Sequence, residues 1–352
     1  MKKLVLGLIL VLLLLLIAAC NKKEETAVQP EQQVEEPAEE PAEEPEKDEE
    51  PKEIVYKNQY PLTGIRTDDD IEYRAFGVMI ENSLSARPQS GLYQADVVYE
   101  VLAEASITRL LAFYHSEKPE IIGPVRSARD YNIHLNNGYK AIYVSAGGSP
   151  GAFAVIQSGQ VDYINGLSYD GRYLWRSKER KAPHNMYTNY ENLIDAAEHA
   201  KHSLIAPVPA LPFLEKDVNL EGKEKAVEIS IIYGSSTNNV VYKYEQDNDQ
   251  YIRIVGGEQN LDLETNNPVV IDNIFIVEMS HQVIDKQGRR AINTTSGGEG
   301  LLIQNGVYQR LQWKSVDGQI LPIHDGKIVG FVKGKTWINV VPSLDGNISI
   351  ME

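Results

Sequence analysis

Hydrophobic and polar positions fall into two textures along the chain. Up to about residue 205, compact apolar runs alternate with segments of helical period. The runs Phe76–Ile80, Val97–Leu102, Ile107–Tyr114 and Ala141–Ser145 predict strands. Helices are predicted over Ser127–Asn137, closing at Gly138, over Pro150–Gln157, and over Tyr190–His202, where Leu193, Ala196, Ala197, Ala200 and Leu204 recur at helical spacing. After Val227 the pattern becomes short alternating strands: 227–233, 239–244, 251–255, 269–279, 300–303, 308–313 and 336–341. Asp317-Gly318, Asp325-Gly326 and Asp345-Gly346 are read as hairpin turns. The expected fold class is α+β, an N-terminal mixed α/β domain followed by a smaller, mainly antiparallel β domain.

Two segments ahead of these halves do not belong to the fold. Lys2 and Lys3 precede an apolar run from Leu4 to Ile17, broken only by Gly7, and small residues lead to Cys20. The charge-then-apolar layout is that of a secretory signal, and the run is short for a membrane span. Ile17-Ala18-Ala19-Cys20 resembles the lipobox of bacterial lipoproteins. That resemblance implies cleavage before Cys20, the chain's single cysteine, and a diacylglycerol anchor on it. Two acyl chains hold stably where one would be marginal. Without a second cysteine no disulfide braces the module, so burial must supply its stability. Between Asn21 and Glu53, fourteen acidic residues face four lysines among Pro, Ala and Gln. Such a stretch is expected to be a disordered, extended leash with a full reach of about 110 Å. The resulting division is signal 1–19, lipidated cysteine and linker 20–53, mixed domain 54–205, Pro-rich connector 206–226 and β domain 227–352.

Charge narrows the choice of partners. The chain carries −16, most of it in the leash, and shows no basic stripe or stacking-aromatic motif, which argues against nucleic-acid binding. No cofactor motif is found, and no cofactor or metal is expected. His199 and His202 share a helical face, yet spacing supplies no third ligand, and a solvated face accounts for them.

Gly147-Gly148-Ser149-Pro150-Gly151 matches the G-x-S-x-G elbow of hydrolases. There the N–H after the nucleophile forms part of the oxyanion hole, and Pro150 has none. Ser149 is therefore read as a helix N-cap with Pro150 as first helical residue. Gly147, Gly148 and Ser149 then present a helix N-terminus suited to an anion. Arg126 and Arg129 lie three apart in a segment read as helix from Pro124, hence on one side, with Arg126 disfavoured in its first turn. Either internal acids neutralise them (Glu81, Glu100, Glu104 and Asp130 are candidates) or an external carboxylate or phosphate does. Arg87 and Arg109 could complete such a site. Histidine is the side chain best suited to proton exchange near neutrality. His184 is accordingly the candidate general acid or base, with Asn185 orienting a substrate and Glu81 or Glu100 assisting; a loop residue bonded to backbone is the plainer account.

The phrases GVMIENSLSARPQSGLYQADVVYE (77–100), ITRLLAFY (107–114), IIGPVRSARDY (121–131), GGSP (147–150) and PHNMY (183–187) together resemble the YerB-like bacterial lipoproteins. The family has no assigned function, so the resemblance implies a two-domain exported lipoprotein and no reaction. The leading expectation is a membrane-anchored module facing outside the cytoplasm that binds an anionic envelope component or ligand. An enzyme acting on an envelope polymer and a protein–protein adaptor are the alternatives.

Overall fold

The computed structural model describes residues 55–216 and 223–352. The signal, Cys20 and the acidic leash lie outside the described residues. The N-terminal half contributes β1 (Phe76–Glu81), β2 (Val97–Leu102), β3 (Thr108–Tyr114), α1 (Asp130–Asn137), β4 (Ile142–Ser145), α2 (Pro150–Gln157), β5 (Tyr163–Asn165) and α3 (Tyr190–His199). The C-terminal half contributes β6 (Glu228–Ile231), β7 (Val240–Glu245), β8 (Gln250–Val255), β9 (Asn273–Glu278), β10 (His281–Val283), β11 (Arg290–Ile292), β12 (Gly298–Gln304), β13 (Val307–Val316), β14 (Gln319–His324), β15 (Thr336–Val341) and β16 (Ile348–Met351). The fold is α+β, with a mixed first half and a mainly antiparallel second half.

Strands from both halves form one sheet, in the order β14–β13–β12–β9–β15–β2–β3–β1–β4–β5. The join is β15 against β2, parallel, with Thr336 opposite Val97 and Val340 opposite Val101. Every residue of β1, β2, β3 and β15 is buried, because both faces of the sheet are covered. Alternate side chains enter two cores. Phe76, Val78 and Ile80 of β1 join α3 and a second sheet, β8–β7–β6–β16, on one face. Met79 joins Tyr131, Ile133 and Leu135 of α1 on the other. A strand buried on both faces reads as a continuous apolar run, which is why these four were plain in the sequence.

Several expectations are corrected. Residues 124–129 are not the start of a helix; α1 begins at Asp130 with Arg129 as its N-cap. The preceding stretch is held extended, Val125 pairing with Ile80 and Ala128 with Gly148. Sheet-like partners on both sides satisfy its backbone, and tertiary pairing overrides local helical pattern. Gly138 does end α1, but in a right-handed conformation. Asp317-Gly318 and Asp325-Gly326 turn hairpins, both residues of each at positive φ. Asp345-Gly346 does not: β16 leaves it to pair with β6.

A buried carboxyl marks the entrance to β2. Asp96 is fully buried and accepts backbone hydrogen bonds from His115 (2.8 Å) and Ser116 (2.9 Å). Burial pushes its pKa from 3.8 up to about 6, against the pull of those bonds. A raised folded-state pKa means stability that is fully present below about 3.8 and lost as pH rises through about 6. Relative to Asp96→Asn, the native chain is expected to be about 2 kcal/mol more favoured at pH 4 than at pH 7. Chemical denaturation of both chains at the two pH values reads this gap; a gap independent of pH refutes it.

Candidate functional site

The site forms where the extended arm 122–129 crosses the end of β1. Arg126 N–H donates to Met79 O (2.8 Å), Glu81 N–H to Pro124 O (2.9 Å), and Ala146 N–H to Arg126 O (3.0 Å). The arm is thus stitched to β1 on one side and to the turn after β4 on the other.

Glu81 is the centre of the arrangement, its side chain 6% exposed. Its Oε2 lies 3.1 Å from Arg126 Nε and 2.9 Å from His184 Nδ1, and its Oε1 accepts from Ser83 Oγ at 3.0 Å. The Arg126 contact is ionic only, since its Nε–H is not aimed at the oxygen and has no hydrogen-bond acceptor. Neither Nη group of Arg126 has a partner among the described residues, and the side chain is 25% exposed. With Nδ1–H given to Glu81, His184 keeps Nε2 for another partner. One carboxylate therefore orients a guanidinium fork and an imidazole together.

The loop that delivers His184 is fastened independently. Arg180 donates to Ala86 O and Pro88 O, both at 2.5 Å. Asn185 accepts from Arg176 (3.0 Å) and donates to Ser177 O (3.2 Å), so it secures its own loop.

The remaining candidates lie elsewhere. Arg109 Nη2 pairs with Glu104 at 2.9 Å and its Nη1 donates to Ser127 O at 3.0 Å; burial lowers its pKa. Arg129 pairs with the other oxygen of Glu104 and donates to Ala128 O at 2.8 Å. Arg87 donates to Asn82 O, Thr237 O (2.6 Å) and Asn238 Oδ1 (3.0 Å), tying the two halves together, and burial lowers its pKa to about 10. Glu100 points into the core, where Asn82, Thr108, Arg253 and Trp337 surround it. Ser149 caps α2, accepting from Ala152 N–H at 3.2 Å, with Pro150 at the first helical position. Gly147, at φ +75°, turns under Leu167, and a Cβ there would lie 3.0 Å from it; Gly148 packs beside Ala128. His199 lies among Tyr169, Tyr173 and Arg172, while His202 pairs with Asp162 at 3.1 Å.

Residues 62–203 match the N-terminal domain, and residues 229–338 the C-terminal domain, of DUF3048, a protein family of unknown function. The chain is also 46% identical over 290 residues to the putative lipoprotein YerB of Bacillus subtilis (strain 168), covering 82% of this chain and 88% of that protein. The chain belongs to the DUF3048 family. The fold is shared as well: the crystal structure of YerB from Bacillus subtilis matches with a TM-score of 0.79 at 44% identity, over 84% of this chain and all of that one. The arginine fork, Glu81 and His184 all lie within the N-terminal DUF3048 domain.

Two contributors escaped the sequence reading. Ser83 is a small polar residue in a loop and carries no pattern. Arg289 and Arg290, adjacent cations in an otherwise acidic half, were a usable signal. In the fold they line a hollow with Arg129 and the start of α2.

Proposed function

We propose that this DUF3048 chain is a lipid-anchored, extracytoplasmic binding module that takes an anionic group of an envelope component at Arg126 and His184. The lipobox-like run ending at Cys20 and the similarity to the putative lipoprotein YerB support the anchoring. Among the described residues no helix is long and apolar enough to cross a membrane, which is compatible with a lipid anchor. The reading of the site is carried by one observation, the Nη pair of Arg126, without a partner among the described residues, beside His184, both oriented by Glu81. A planar fork is the geometry that carboxylate and phosphate accept bidentately. Pinning both side chains from behind lowers the ordering cost of binding.

Arg126→Gln in the full chain, solubilised in detergent, is expected to weaken inorganic phosphate binding ten- to hundredfold, the scale of a charge-assisted bidentate contact. Calorimetric titration reads this directly, and unchanged affinity at that site rejects the assignment. A second reading rests on the 2.9 Å Glu81–His184 contact, which has the form of an oriented general base. It would act on a substrate held by Arg126, and turnover of an envelope polymer abolished by His184→Gln with binding retained would select it.

A further inference from the structure

A second cluster of guanidiniums lies on the far side of the arm, where α1 and α2 begin. A hollow of about 150 Å³ is lined there by Arg129, Asp130, Gly151, Asp285, Arg289 and Arg290, among others. Liquid water occupies about 30 Å³ per molecule, so the space suits a tetrahedral oxyanion with its contacts. Arg289 and Arg290 come from the hairpin β10–β11 of the C-terminal half, and Arg129 and α2 from the N-terminal half.

The donors there are only partly used. Arg129, its side chain 9% exposed, lines the hollow; Glu104 and Ala128 O hold its Nη groups, and its buried Nε–H has no acceptor among the described residues. Arg290 donates Nη2 to Ala105 O at 2.7 Å, and its buried Nε–H is likewise without an acceptor. At the start of α2, Pro150 has no N–H and Ser149 takes that of Ala152, while Gly151, which lines the space, has an amide without a partner among the described residues. The carboxylates cancel this only in part, since Glu104 is shared between Arg109 and Arg129. Asp285 is committed to the Arg289 side chain and to the N–H groups of Gln287 (2.9 Å) and Arg289 (3.1 Å). Asp130 alone faces the hollow without a cation partner among the described residues; Oδ2 lies 3.4 Å from where a Cβ on Gly151 would sit.

The geometry points to a second oxyanion site here, for a phosphate group, held by Arg129, Arg289, Arg290 and the Gly151 amide. It extends the binding reading above by a separate pocket and by residues of the other half. Asp130 opposes the ligand, so its neutralisation should strengthen binding, an effect that a loss of folding cannot imitate.

The test is calorimetric titration of the detergent-solubilised full chain with inorganic phosphate. The native chain is expected to take two phosphates. Arg289→Gln/Arg290→Gln is expected to weaken one of them at least tenfold, and Asp130→Asn to tighten the same one about threefold, on the scale of one nearby charge. Arg126→Gln should leave this site untouched. An unchanged second site in the double variant, or weaker binding in Asp130→Asn, overturns the proposal while the Arg126 reading stands. Loss of only the other phosphate in Arg126→Gln upholds both sites; loss of none in that variant rejects the Arg126 site alone. Short-chain phosphatidylglycerol, titrated alongside, identifies the source. Binding at this site tighter than inorganic phosphate assigns a lipid headgroup, and equal binding assigns a free oxyanion.

Discussion

Arg253→Met is expected to cost the folded module about 3–5 kcal/mol, the scale of a buried ion pair stripped of one partner. Arg253 and Glu100 are both fully buried and meet at 2.9 Å, across the space between the second sheet and the central one. Burial alone would depress the charge on Arg253, but Glu100 holds its pKa above the ordinary arginine value. The guanidinium also stacks 4.7 Å from the Trp337 ring and donates to Asn260 at 2.6 Å. Removing it leaves the Glu100 carboxyl buried without its cation, and Asn82, Thr108 and Trp337 are its remaining donors among the described residues. The double variant Glu100→Leu/Arg253→Met should recover part of the loss, because no isolated charge remains. Recovery stays incomplete, since three donors then lose their acceptor. Urea denaturation of the single and double variants measures the cycle, and a loss below about 1 kcal/mol for Arg253→Met contradicts it.

The second large effect is steric. Gly138→Ala is expected to destabilise by about 3 kcal/mol, the upper range for overpacking. A Cβ at Gly138 would lie 2.4 Å from Gly318 C, 2.5 Å from Gly318 O and 2.6 Å from Gln319 N. These are backbone atoms of the β13–β14 turn, with no side chain that could swing away. Gly138 has an ordinary helical φ, so no conformational strain contributes. Gly171→Ala is the contrast: its φ is +77° but nothing lies within 4 Å of the added carbon, and only the left-handed backbone penalty of about 1–2 kcal/mol applies. Thermal melts of the two variants that shift equally would contradict the steric account.

What the sequence disclosed follows from how far each signal reaches along the chain. α2 was legible at both ends because Ser149 and Pro150 are local start signals. β2 and β15 were legible because burial on both faces makes most of their positions apolar, Glu100, Thr336 and Asn339 being the exceptions. That these two strands adjoin left no trace, since a parallel pairing between residues 97–101 and 336–340 imposes no spacing rule. Arg126 and Arg129 were singled out as cations needing partners, but the helix assumed for them is absent, since α1 begins at Asp130. The helical period around them was real, and the pairing of Val125 and Ala128 with distant backbone prevailed. Arg253 could have been noticed: in β8 it shares parity with buried Tyr251 and Val255, an arginine on an inward-facing register.

The position of β15 has a consequence for how the chain matures. Until the polypeptide is complete to about Val341, β2 borders on nothing along one side, and its unmet amides and carbonyls invite whatever strand arrives first. During synthesis the earlier portion must therefore wait for a late arrival to close the seam.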